Sequence, residues 1–103
     1  MKHLPLFFDL AGRKVVVAGE GPAAERRAEL ALSAGAEVKR LSPETVQAAD
    51  FRGAAAAFIA TDDLARDTAL QRLAKSAGVA VNVADRPQLS DFILPAKIGR
   101  AHV

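Results

Sequence analysis

At 103 residues the chain is long enough for one domain with a core of its own and too short for a second lobe. Hydrophobic residues make up 50% and charged residues 25%, the balance of an ordinary globular domain, which argues against disorder and against a membrane protein. The 14 basic and 12 acidic residues are scattered and leave a net charge of +2, with no cysteine and two histidines far apart; this argues against a nucleic-acid-binding tail, a disulfide framework or a zinc site, and makes the cytosol the expected compartment.

The opening "MKHLPLFFDLAG" is interrupted by Pro5 and Asp9, so it lacks the unbroken apolar region of a signal peptide, and no stretch approaches the roughly 20 apolar residues that span a bilayer. Residues 14–19 carry three consecutive valines, the pattern of a parallel strand covered on both faces. Pro22 suits the first turn of a helix that runs to about Ala34, with Gly35 as a left-handed stop. Ala24, Ala28 and Ala31 share one face of it and let the helix lie close on a sheet, with Leu30 and Leu32 filling the flanks. A second strand is expected at Glu37 to Leu41, followed by Ser42 capping a short helix begun by Pro43. The third strand is expected at Ala55 to Ala60. Asp62 or Asp63 then caps a helix with Leu70, Leu73, Ala74 and Ala77 on one face, closed by Gly78. A fourth strand is expected at 79–83, and "FILPA" at 92–96 offers a short fifth. The alternation of strand and helix predicts an α/β domain built on a small doubly wound parallel sheet of four to five strands.

The turn after the first strand reads "GEGPAA". Gly19, Gly21 and Ala24 fill the slots of G-x-G-x-x-G/A. In that pattern the first glycine permits a tight turn, the second lets backbone approach a diphosphate, and the third small residue allows close helix-to-strand contact. The pattern follows a strand and opens a helix, whose unpaired N–H groups and partial positive charge suit a phosphate. The competing reading is a tight strand-to-helix joint with no ligand. Glu20 lies between the glycines and must face solvent if a diphosphate binds. The second strand ends in "VKRL", without the acidic residue that usually holds ribose hydroxyls. Lys39 and Arg40 either meet a 2′-phosphate or are plain exposed bases, and Glu44 is a late acidic candidate. Arg26 and Arg27, read as first-turn residues, are disfavoured by the helix dipole by about 0.3–1 kcal/mol. They either attract an anion or pair with a carboxylate such as Glu29.

Three separated blocks, "HLPLFFDLAGRKVVVAGEGPAAERRAELALSAGAEV", "FIATDD" at 58–63 and "VNVADRPQLSDFILPA" at 81–96, together resemble the precorrin-2 dehydrogenases of siroheme biosynthesis, including the N-terminal module of bifunctional siroheme synthases. The resemblance implies a Rossmann-like NAD-binding domain that oxidises precorrin-2 to sirohydrochlorin, with ferrous iron insertion in some members. It places Asp85 on the family's catalytic aspartate, past the fourth strand where open parallel sheets bind ligands. It places Pro22, Ala23, Pro43, Glu44, Ala60, Thr61, Asp62, Asn82 and Val83, with the glycine turn, along the NAD. It also implies a homodimer and a tetrapyrrole substrate bearing carboxylates. Lys97 and Arg100 either help dock that substrate or, as isolated basic residues near a terminus, stand in solvent. Plainer roles exist for each: Asp85 as a turn cap, Thr61 and Asp62 as helix caps, Asn82 satisfying a backbone group. His3 and His102 have no partner that marks them as acid-base groups.

Against the family, the stretch between "SPE" and "FIATDD" lacks an additional helix and strand near the adenosine end, and the chain stops soon after "FILPA", before the helical region that forms the dimer. The expectation is therefore a single shortened NAD(P)-binding domain over residues 1–103, either a dehydrogenase or a non-catalytic dinucleotide-binding or sensor module.

Overall fold

A computed structural model describes residues 3–94 of the chain. Four parallel strands, β1 (Lys14–Gly19), β2 (Glu37–Leu41), β3 (Ala56–Ala60) and β4 (Val81–Val83), form one sheet in the order β2-β1-β3-β4. Between them lie helices α1 (Pro22–Ser33), α2 (Ala48–Phe51) and α3 (Leu64–Ser76), and a 3₁₀ turn, Pro87–Leu89, follows β4. Among the described residues no helix is long and apolar enough to cross a membrane.

The valine run of β1 is buried on both sides because its alternate residues face different layers. Val15 and Val17 pack with Ala24, Ala28 and Ala31 of α1, while Val16 and Ala18 pack with Phe51, Leu70 and Ala74 of α2 and α3. The alanine face of α1 brings that helix down onto the sheet, as its spacing predicts. The sheet is thus doubly wound. From β1 the chain moves outward to β2, then returns past β1 to β3, so the strand order reverses between β1 and β3, where sheets of this kind open a crevice at their carboxyl ends.

β3 is mostly alanine, a weak strand former, yet every one of its residues is buried. Phe58 anchors it on the α1 side and Ile59 on the other, so burial overrides propensity.

Three expectations are corrected. Leu32 is 58% exposed and fills no flank, because it lies one residue off the alanine stripe; Leu30 is half-buried. No helix starts at Pro43: Ser42 to Thr45 is a turn closed by the Thr45 N–H on the Ser42 carbonyl at 3.2 Å, with Pro43 in the position whose fixed φ a turn favours. The short helix begins later, at Ala48, with Gln47 and Asp50 forming a reciprocal cap. Residues 92–94 form no strand, and Pro95 and Ala96 lie outside the described residues. The outer edge of β4 is instead met by side chains. The Asp91 carboxylate accepts the Val81 N–H at 2.9 Å, the Ser90 hydroxyl accepts the Val83 N–H at 2.9 Å, and the Asp91 N–H returns to the Val81 carbonyl at 2.8 Å.

Candidate functional site

The crevice begins where β1 ends. Gly19 has φ 145°, and a Cβ there would lie 2.0 Å from the Ala60 carbonyl oxygen at the end of β3. Its glycine is therefore demanded by the approach of the two strands, a structural need distinct from contact with a ligand. Gly21 differs. It has φ 94°, precedes the helix, and a Cβ there would meet nothing within 4 Å. No side chain caps α1, and its first turn holds Pro22, so the N–H groups of Gly21, Ala23 and Ala24 have no partner within the helix. Ala24 itself is fully buried against the sheet. Glu20 is exposed. An open helix start with unpaired donors and no Cβ in front fits a diphosphate.

The loop after β3 adds Thr61 and Asp62. Asp62 sits in the left-handed region at φ 67° and is exposed, while the helix cap is Asp63, whose carboxylate accepts the Arg66 N–H at 3.1 Å. Thr61 is fastened to α3: its N–H reaches the Asp67 carboxylate at 3.0 Å and its hydroxyl donates to the same oxygen. Ala60 is buried, its carbonyl backed by Gly19.

Beyond β4, Asp85 is exposed and held at φ 62°. It makes no ion pair among the described residues. Asn82 is 5% exposed and bonded at both ends of its amide: its carbonyl oxygen accepts the Arg27 Nε–H at 3.1 Å and its NH2 donates to the Phe92 carbonyl at 3.0 Å. Val83 faces the α3 side of the sheet, so it offers only backbone to the rim. Arg27 also donates to the Ala23 carbonyl at 3.2 Å. Its guanidinium therefore bridges the start of α1 and β4. Burial, and secondarily the charge of Arg26, lower the Arg27 pKa, while Asp85 opposes that shift. Because α1 begins at Pro22, Arg26 and Arg27 are its fifth and sixth residues, past the turn where the dipole penalty is felt. Arg27 pairs with Asn82 and not with Glu29.

The residues after β2 are engaged differently. Glu44 accepts the Ser42 hydroxyl at 2.7 Å and an Arg66 guanidinium N–H at 2.6 Å, and these donors, Ser42 foremost, hold its pKa below 4.5. Arg40 pairs with Glu25 at 2.8 Å, which occupies the base read as a possible 2′-phosphate contact; Lys39 is exposed. Pro43 and Glu44 line a groove with Asp63, Arg66 and Leu70. From the end of β2 to the end of β4 is three strand spacings, about 14 Å. The candidate residues are thus strung along the whole carboxyl rim. The structure brings Ala23 and Asn82 together on Arg27, with Asp85 near enough for its charge to act on that guanidinium, and leaves Pro43 and Glu44 at the far end. Lys97, Arg100 and His102 lie outside the described residues; His3 is exposed.

Two functional-site neighbours, Asp67 and Arg86, were not singled out from the sequence. Asp67 is 1% exposed and takes the Arg86 Nε at 2.9 Å. The signal for it was present: Asp67, Leu70 and Ala74 share one face of α3, and an acid on an apolar stripe requires a partner.

A doubly wound parallel sheet, a glycine turn onto an uncapped helix and polar side chains along the carboxyl rim define an α/β dinucleotide-binding domain. The chain belongs to a family described as putative NAD(P)-binding, whose model matches residues 6–96, and NAD is the cofactor that this assignment carries. A siroheme synthase of Nitrosococcus oceani is 35% identical over an alignment covering 100% of this chain and 26% of that protein. A siroheme synthase of Stutzerimonas stutzeri is 37% identical over 98% of this chain and 26% of its own length. The chain thus spans about a quarter of these relatives. The first alignment runs over 122 residues against 103 here, so that relative has extra residues within the matched stretch. The solved structure of SirC, precorrin-2 dehydrogenase, superposes with a TM-score of 0.73 at 22% identity, covering 98% of this chain and 59% of that one; it shares the fold.

Proposed function

We propose that this chain is the dehydrogenase module of a siroheme-pathway protein, binding NAD and oxidising precorrin-2 to sirohydrochlorin. The observation that carries the reading is Asp85: an exposed carboxylate without an ion-pair partner among the described residues, in a left-handed turn on the same rim as the open start of α1. Membership of an NAD(P)-binding family and likeness to siroheme synthases over this segment supply the substrate class.

When bound, NAD supplies a hydride acceptor. The Ala23 and Ala24 amides hold its diphosphate, and Thr61 and Asp62 border it from β3. Asp85 accepts the proton that the tetrapyrrole loses as its hydride departs, so the substrate gives up two electrons and two hydrogens in all. The guanidinium of Arg27, tied to Asn82 and Ala23, offsets the negative charge that gathers when a carboxylated substrate lies beside Asp85. Asp85 stands in solvent, and a second copy of the chain covering the rim, as a homodimer, is part of the proposal. Insertion of ferrous iron into the product would use the same carboxylate.

A second reading, a dinucleotide-binding module without catalysis, is favoured by the same exposure of Asp85. Incubation with precorrin-2 and NAD separates the two: NADH appears with the native chain and not with Asp85→Asn if the chain is a dehydrogenase. NAD binding without NADH supports the second reading.

A further inference from the structure

The buried carboxylate of Asp67 has no part in the reaction above. It is 1% exposed, and a charge so placed is retained only where its hydrogen bonds are met. Here they are met from two loops. Thr61, after β3, donates its N–H and hydroxyl to one oxygen; Arg86, after β4, donates its Nε to the other at 2.9 Å. Arg86 is fixed at its backbone too, its N–H on the Val83 carbonyl at 3.1 Å and its carbonyl accepting the Leu89 N–H at 3.0 Å and the Ser90 hydroxyl at 3.0 Å. The residue before it is Asp85, in the left-handed region at φ 62°, which Asp adopts more readily than most L-residues, so that the neighbouring bonds of Arg86 decide how firmly it is held there.

An ion pair this buried is a poor source of stability, because apolar side chains of similar size fill such a site as well or better. Its effect lies in geometry. We infer that Asp67 is a positioning residue: through Thr61 and Arg86 it fixes the two rim loops relative to one another and holds Asp85 in its left-handed turn. That Asp85 is the group being positioned rests on the dehydrogenase reading; that one carboxylate locks both loops does not.

The test replaces both charges together, Asp67→Leu with Arg86→Met, so that no buried charge is orphaned. The double variant, which leaves no buried charge but takes the acceptor from Thr61, is expected to fold, to keep NAD binding at the unaltered start of α1, and to lose at least tenfold in kcat for NADH formation. Amide resonances of Thr61, Asp62 and Asp85 should broaden together and exchange faster with solvent. Should the double variant fold with native kcat, or with those amides unchanged, the inference falls. Should the native chain form no NADH, the dehydrogenase reading fails on its own and the amide measurement alone decides the lock. If the double variant does not fold, Asp67→Asn keeps the acceptor for Thr61 while removing the charge facing Arg86. It should then loosen Asp85 and leave Thr61 in place, and an unaltered Asp85 amide overturns the inference.

Discussion

Replacing the two glycines of the turn by alanine, one at a time, separates a glycine required by the fold from one required by a ligand. At Gly19 the added carbon would sit 2.0 Å from the Ala60 carbonyl oxygen, well inside contact distance, and the next nearest atoms are also Ala60 backbone, with no flexible side chain to yield. Forcing a methyl group into such a packed spot costs about 1–3 kcal/mol, and holding alanine at φ 145° adds about 1–3 kcal/mol. The sum, about 2–6 kcal/mol, is a large share of the 5–15 kcal/mol typical of a whole domain. At Gly21 the carbon meets nothing, so only the backbone strain of about 1–3 kcal/mol remains. At roughly 4 °C per kcal/mol, Gly19→Ala should melt about 8–24 °C lower than the native chain and Gly21→Ala about 4–12 °C lower. Thermal melts with and without NAD read both effects. For the native chain, NAD at 100 times its Kd adds about 2.7 kcal/mol; under the proposed cradle, Gly21→Ala should lose most of that gain, because a methyl group at the open start of α1 would obstruct a diphosphate held there. Equal melting losses for the two variants would refute the close strand approach, and an undiminished NAD shift in Gly21→Ala would refute the cradle.

Asp85→Asn should leave stability within about 0.5 kcal/mol, since the residue is exposed and asparagine tolerates the left-handed region, while removing about 10²–10⁴ in NADH formation; an activity within threefold of native rules Asp85 out as the base. Asn82→Leu strips Arg27 of its Nε acceptor and should cost about 1–3 kcal/mol in urea denaturation, with an unchanged midpoint arguing that the contact is idle. The pKa of Glu25 is lowered by Arg40, and that of Glu44 by Ser42 and Arg66, both from an ordinary 4.5. Carboxylates with depressed folded-state values contribute stability above the unfolded pKa and lose it as pH falls through the folded one. Stability should therefore decline as pH drops below 4.5, less steeply in high salt because both groups are exposed. A Glu25→Gln, Glu44→Gln double variant with the same decline shows that other carboxylates are responsible.

The layered core was legible because it follows short periodicities: the consecutive valines of β1, the alanines of α1 three and four apart, the glycines after each helix. The position of the glycine turn was legible for the same reason. What could not be read were partners distant in the chain. The sequence leaves Arg27 between an anion and a carboxylate such as Glu29, whereas its acceptor is Asn82, 55 residues on, because only the packing of α1 on β3, with β4 beside it, brings them together. Asp67 shares the apolar face of α3 and so needs a partner, but its local sequence does not show that the partner is Arg86, in the loop after β4. Ser42 and Pro43 carry the marks of a helix start, but the same residues suit a turn, and the apolar weight of Phe51, placed downstream, decides where the helix forms. Among the described residues no fifth strand forms, and Ser90 and Asp91 satisfy the outer edge of β4 instead.

That substitution has a bearing on how the domain meets other protein. At one border of the sheet, Ser90 and Asp91 already consume the N–H groups of Val81 and Val83; at the other, β2 presents Glu37, Lys39 and Arg40 to solvent, and charge discourages a visiting strand. Among the described residues, growth by ribbon-to-ribbon pairing is therefore disfavoured at both borders. Whatever joins this module, whether a twin or the remainder of a longer polypeptide, is left the broad layers and the loop-lined mouth for its contacts.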